Sequence, residues 1–268
     1  MPSYKRVLVV AKDRGVEAAV KGVGIEEVLK GAIVEYHVFK PSSAVPKFKC
    51  DLMIAAGGDG TLFYAVSGLI EPSTPVLHVG MGSRGFLADV QLSELAERLR
   101  DTIEGRHIVE RARKLLVKTS EGWTGKAMNE VVFAARSWRG VLCAEVAIGG
   151  LGNMDLVASG VMVSTPLGST AFCLASGGPT LDDRLHGMVL CPISARRRWP
   201  PIVVHQDRSI TIRRTGGKER AVLVIDGFIE RPLKDDEIVV VSKSEETVNM
   251  IRFTEEYLMK RVERVITE

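Results

Sequence analysis

The chain has 268 residues, 46% of them hydrophobic and 26% charged, the balance of an ordinary globular protein with length for one large domain or two modest ones. Thirty-six basic against 33 acidic residues leave a net charge of +3, too weak to suggest a nucleic-acid partner. The four cysteines (Cys50, Cys143, Cys173, Cys191) form no C-x-x-C pair, no apolar run approaches the ~20 residues that span a bilayer, and the first residues lack a signal-peptide core; the expectation is a cytoplasmic protein with reduced thiols and no membrane partner.

Arg6–Val10 and Asp51–Ala56 are short apolar runs bounded by charge or glycine and read as buried strands, as does Pro75–Val79. The spacing predicts a helix over Leu92–Glu104, with Leu92, Leu95, Leu99 and Ile103 on one face, Ser93 as its cap and Gly105 as its stop. Alternating strands and helices imply an α/β domain with a Rossmann-like parallel sheet over residues 1–105. After Arg106 the pattern changes. Val109–Thr119, Lys126–Ala134, Val141–Ile148, Leu156–Ser164, Ser209–Arg214, Ala221–Asp226 and Glu237–Ser242 read as strands, which predicts a β-rich, sandwich-like domain over 106–252. Helical periodicity returns at Glu255–Val265, and a terminal helix over 253–268 is expected to pack back on the first domain.

Four segments carry possible chemistry. Gly57-Gly58-Asp59-Gly60-Thr61 lies between an apolar strand and the helical stretch Leu62–Ile70. Glycines at such a turn let a phosphate approach the backbone, and the N–H groups of the helix start attract anions. Asp59 is suited to act as a general base or to help hold Mg²⁺, while the same residues also suit a plain Asp-Gly turn. Gly80-Met81-Gly82-Ser83-Arg84-Gly85 matches G-x-G-x-x-G, but no helix follows at once, so a Rossmann dinucleotide site is not expected there. Asn129-Glu130, at a strand edge, offers groups that hydrogen-bond a nucleoside, or is a solvated strand end. Thr165-Pro166-Leu167-Gly168-Ser169-Thr170-Ala171-Phe172, followed by Gly177-Gly178-Pro179, is a loop dense in small hydroxyls, suited to phosphate or ribose but also to a purely structural turn.

In this order and spacing the segments resemble the NAD kinase family, a branch of the diacylglycerol and sphingosine kinase-like superfamily. Its GGDGT turn appears as Gly57–Thr61, its NE pair as Asn129-Glu130, its TPTGSTAY loop as Thr165–Phe172 and its GGP as Gly177–Pro179; Val224-Ile225-Asp226-Gly227 is similar to its IDGQ segment. The resemblance implies an α/β domain plus a β-sandwich-like domain, assembled as a homodimer or homotetramer. It implies transfer of the γ-phosphoryl of ATP, with Mg²⁺ or another divalent cation, to the adenosine 2′-hydroxyl of NAD. Asp59 would be the base, Gly57, Gly58, Gly60 and Thr61 would hold the donor, and Asn129 and Glu130 would contact the NAD nucleoside. Thr165, Gly168, Ser169, Thr170, Ala171 and Phe172 would line the acceptor pocket. No residue is assigned as a metal ligand.

The departures fall on the acceptor side. Ser159 stands where the family has an aspartate, Leu167 and Phe172 replace a threonine and a tyrosine, Ala175 replaces a serine, and Phe228 replaces the glutamine of IDGQ. Most exchange a hydrogen-bonding group for an apolar one, which alters discrimination among substrates. A related kinase with another hydroxyl acceptor, and a non-catalytic dinucleotide-binding protein, therefore stand beside the main reading. Arg196-Arg197-Arg198 reads as a solvated turn, and none of the five scattered histidines receives a role.

Overall fold

The computed structural model describes residues 4–40, 45–81, 86–137, 140–254 and 262–263. The chain forms two compact units, 1–112 with 247–268, and 113–246.

The first unit contains β1 (Arg6–Ala11), α1 (Arg14–Gly22), α2 (Ile25–Val28), β2 (Ile33–Val38), β3 (Leu52–Ala56), α3 (Asp59–Gly68), β4 (Pro75–Gly80), β5 (Val90–Gln91) and α4 (Leu95–Ile103). The strands run parallel in the order β4-β3-β1-β2. Every residue of β3 is buried, as a parallel strand covered on both faces must be, which is why its sequence is a continuous apolar run. Leu52, Ile54, Leu77 and Val79 pack with Val20, Ile25, Leu95 and Leu99 of the helices on one face. α3 packs against β3 and β1 and is apolar nearly all round, with Leu62 through Val66 buried.

The expected helix near residue 92 forms with a different cap. A 3-10 turn over Leu92–Glu94 precedes α4, and Gln91 and Glu94 close a reciprocal capping box in place of Ser93. Gly105 follows with φ +76°, as a stop signal should. β2 was not signalled, because it is a half-exposed edge strand without a clean apolar run. The terminal helix expected over 253–268 lies almost wholly outside the described residues.

The second unit is built from β6 (Ile108–Thr119), β7 (Thr124–Ala127), β8 (Glu130–Ala135), β9 (Leu142–Ile148), β10 (Gly152–Ala158), β11 (Gly160–Ser164), α5 (Phe172–Ala175), β12 (Gly187–Ile193), β13 (Ile202–His205), β14 (Ile210–Gly216), β15 (Ala221–Ile225), β16 (Ile229–Pro232) and β17 (Ile238–Arg252). The unit boundaries fall inside β6 and β17. One antiparallel sheet runs β13-β12-β11-β8-β15-β16, and β10, β9, β14 and the first part of β17 form another. Val131, Phe133, Val161, Val163 and Leu223 of the first interdigitate with Leu142, Val146, Ile212 and Val239 of the second, a sandwich core. The opposite face of the six-stranded sheet is also covered. Val132, Met162, Val189 and Cys191 pack there under Cys173 and Leu181. β8, β11 and β12 are consequently buried along their whole length.

Two runs expected to be single strands are each divided. Lys126–Ala134 breaks at Met128-Asn129, between β7 and β8, and Leu156–Ser164 breaks at Ser159, where the chain leaves one sheet for the other. Ser159 bonds both neighbours of that second sheet, its carbonyl accepting from Ala135 and its N–H donating to Ile193.

Candidate active site

In the first unit the glycine turn follows β3 directly. Gly57 has φ +153°, and a Cβ there would meet the Thr61 hydroxyl at 2.5 Å, so the position demands glycine on both counts. Gly58 is the extended residue before α3, and Asp59 is its first helical residue. Thr61 N–H donates to the Gly58 carbonyl at 2.9 Å, while the N–H groups of Asp59 and Gly60 belong to the first turn, which a helix cannot satisfy itself. The turn therefore presents donors, at the positive end of a ten-residue helix, around a carboxylate that is 19% exposed. Asp59 Oδ1 accepts from the Leu87 N–H at 3.2 Å, and His78 Nδ1 lies 4.0 Å from the same oxygen.

In the second unit, Asn129 and Glu130 are buried at the break between β7 and β8. The break is held by Asp226. Its carboxylate accepts from the N–H groups of Met128 (2.8 Å), Asn129 (2.7 Å) and Glu130 (3.1 Å), from a position with φ +48°. The 165–170 loop closes on the same segment. Thr165 N–H donates to the Asn129 carbonyl (2.8 Å), Thr165 Oγ1 donates to Met128 O (2.6 Å), and the Gly168 N–H donates to Thr165 Oγ1 (3.0 Å). A Cβ on Gly168 would lie 2.3 Å from the Asn129 carbonyl oxygen, so only glycine permits this approach.

The other loop hydroxyls are also engaged internally. Ser169 Oγ donates to Pro166 O and accepts from Leu181 N–H, and Thr170 Oγ1 donates to Leu167 O. Thr165, Ser169 and Thr170 thus shape the loop, Gly168 and Ala171 shape its turns, and Phe172 stands at its end with 37% exposure. Asn129 Oδ1 and Glu130 Oε2 are buried without a hydrogen-bond partner. Burial, and then the charge of Asp226, push the Glu130 carboxyl up to about 8. Burial also raises Asp226, to about 6, against the three backbone N–H groups and the Lys114 charge that favour its ionised form. Lys114 is held below the usual lysine range chiefly by its own burial.

The structure brings Asn129, Glu130, Thr165, Gly168, Ser169, Thr170, Ala171 and Phe172 into one cluster, and Gly57, Gly58, Asp59, Gly60 and Thr61 into another. Sequence reasoning places Asp226 in the IDGQ-like segment without giving it a role, and gives His78 none. Asp226 carried one local signal, an Asp-Gly turn after an apolar strand, and nothing in it points to residues 128–130. Arg196–Arg198 are exposed, as a solvated turn requires.

Two family models match the chain. Residues 12–107 match the ATP-NAD kinase N-terminal domain, and residues 128–253 match the ATP-NAD kinase C-terminal domain. An NAD kinase of Methanosarcina barkeri is 30% identical over 221 residues, covering 81% of this chain and 78% of that protein. The chain belongs to the NAD kinase family. An NAD kinase of Alcanivorax borkumensis is 33% identical over 207 residues, 75% of this chain and 69% of that protein. The crystal structure of an NAD kinase from Archaeoglobus fulgidus in complex with ATP superposes with a TM-score of 0.80 at 26% identity, covering 98% of this chain and 99% of the other. Yeast NADH kinase complexed with NADH shares the fold, with a TM-score of 0.85 at 19% identity over 100% of this chain and 89% of that one. Membership of the NAD kinase family makes the chain a kinase and identifies its fold as the family's α/β unit joined to a β-sandwich unit.

Proposed function

We propose that the protein transfers the γ-phosphoryl group of ATP to the adenosine 2′-hydroxyl of NAD, forming NADP and ADP. The observation that carries this reading is the Asp59 carboxylate, partly exposed on the first turn of α3 among N–H groups the helix does not use. In the reaction the 2′-oxygen forms a bond to the γ-phosphorus, the bond from that phosphorus to the β,γ-bridging oxygen breaks, and the hydroxyl proton passes to Asp59. The N–H groups at the start of α3, with Gly57, Gly58, Gly60 and Thr61 forming the turn, hold the donor phosphates. Asn129 Oδ1 and Glu130 Oε2, buried and unpartnered, bind the NAD nucleoside, with Phe172 at the loop's end against a ring of the substrate.

Mg²⁺ takes most of its ligands from phosphate oxygens and water. Bound there, it neutralises phosphate charge.

The test is NADP formation from NAD, ATP and Mg²⁺ by the purified protein, with Asp59→Asn beside it. Product from the parent and none from the variant is the expected result. ATP bound without NADP formed moves the acceptor to another hydroxyl compound, the reading that Ser159, Leu167, Phe172, Ala175 and Phe228 favour.

A further inference from the structure

His78 occupies a position where the fold asks for an aliphatic side chain. It lies on β4, on the face opposite Leu77 and Val79, and its cross-strand neighbour is Ala55. Val76, Met53 and Val10 share that face. The imidazole is 2% exposed, and neither ring nitrogen completes a hydrogen bond, although the backbone of Gly57 and Leu87 lies close enough to favour a proton on it. Burial holds it below the usual histidine range; Asp59 opposes this and the Arg252 charge adds to it, so the ring is neutral at neutral pH. A buried polar ring without partners costs stability that a leucine would not, and such a group calls for an explanation.

The explanation lies 4.0 Å away. His78 Nδ1 faces Asp59 Oδ1, and the other contact to that oxygen, from the Leu87 N–H, is anchored from behind. The Leu87 carbonyl accepts from Arg252 Nη1 at 2.6 Å, and buried Arg252 also donates from Nε to Glu110 at 2.7 Å and lies 3.5 Å from Asp89. The carboxylate thus has one fixed donor and one that stands about 1 Å beyond hydrogen-bond reach, a gap of the kind that closes when an active site fills.

We propose that His78 is a positioning residue for Asp59: its Nδ1–H donates to the carboxylate when substrate engages it, fixing the oxygen that receives the acceptor proton. This rests on the reading of Asp59 as the base. The oriented carboxylate then meets the hydroxyl along one direction, as outer hydrogen bonds orient metal ligands and catalytic bases elsewhere.

Three variants test it, each assayed for NADP formation with melting temperatures measured in parallel. His78→Leu removes the donor. His78→Gln moves an amide towards the Nε2 position. His78→Asn keeps an N–H near Nδ1. The leucine and glutamine variants are expected to lose about 10-fold or more in kcat with KM for ATP and NAD within about 2-fold, while the asparagine variant stays within about 3-fold of the parent. An active parent with unchanged kcat in His78→Leu overturns this proposal alone, as does an asparagine variant no better than the leucine one. A parent that makes no NADP overturns the reading of the site and this proposal with it.

Discussion

The Gly57–Thr61 turn and the Met128–Glu130 segment solve different problems. The first is made by consecutive residues, and its chemistry follows from local geometry: a strand ends, glycines turn the chain, and a helix begins with unsatisfied donors around Asp59. The second is assembled from afar. Asp226 reaches across 96–98 positions to hold three N–H groups, and Gly168 rests on the Asn129 backbone. A contiguous site tolerates change around it and fails when its own residues change; an assembled one fails wherever any of its distant supports is removed.

Asp59→Asn separates the two most sharply. It should cost at least about 100-fold in kcat, the scale of a lost general base, and leave the melting temperature near that of the parent. Near-normal turnover would remove Asp59 from the role.

Asp226→Ala should behave in the opposite way, as a structural lesion. It strands three N–H groups of a buried segment, and a loss of about 3 kcal/mol of stability in denaturant titration is expected, together with a raised KM for NAD. A stable variant would mean that water replaces the carboxylate and that the segment is not held in the way described.

Two glycine substitutions sharpen the contrast. Gly168→Ala forces a methyl group onto the Asn129 carbonyl and should cost about 2 kcal/mol. Gly60→Ala meets nothing within 4 Å, so thermal stability should be unchanged or slightly raised, as alanine is the better helix former. If phosphates approach that turn, the KM for ATP should nevertheless rise about 5-fold in Gly60→Ala; an unchanged KM would show that the open space at Gly60 is not used by the donor.

The smallest effect is one of pH. Glu130 titrates near 8 in the folded protein, well above its ordinary value, so the native state holds a proton there that the unfolded chain releases at lower pH. The stability from this group is complete below the ordinary carboxyl range and is lost as pH rises through about 8. Asp226, raised to about 6, adds the same sign at lower pH. Glu130→Gln should flatten the fall in melting temperature between about pH 5 and about pH 8; a parallel curve in the variant would show that the carboxyl is not buried as described.

The strands of the first unit were legible because parallel strands covered on both faces must be apolar throughout, and Leu52–Ala56 is. The half-exposed β2 was not, since its pattern is mixed. The cap of the helix near residue 92 was misread because Ser93 is a good cap by type, yet Gln91 and Glu94 close the reciprocal box. The short strands β13 and β16 carry only four residues each, too few for a periodic signal.

Within the candidate site, sequence alone determined the residue types and order of the glycine turn, the Asn-Glu pair and the hydroxyl-rich loop, because each is a contiguous segment whose backbone demands are local. Tertiary structure alone decided three things. It turned the loop hydroxyls of Thr165, Ser169 and Thr170 inward onto their own backbone, it set Asp226 beneath Asn129 and Glu130, and it put His78 behind Asp59. Each is a contact between side chains or backbone groups brought together by sheet register and loop packing, and no local propensity encodes a neighbour that only the folded chain supplies.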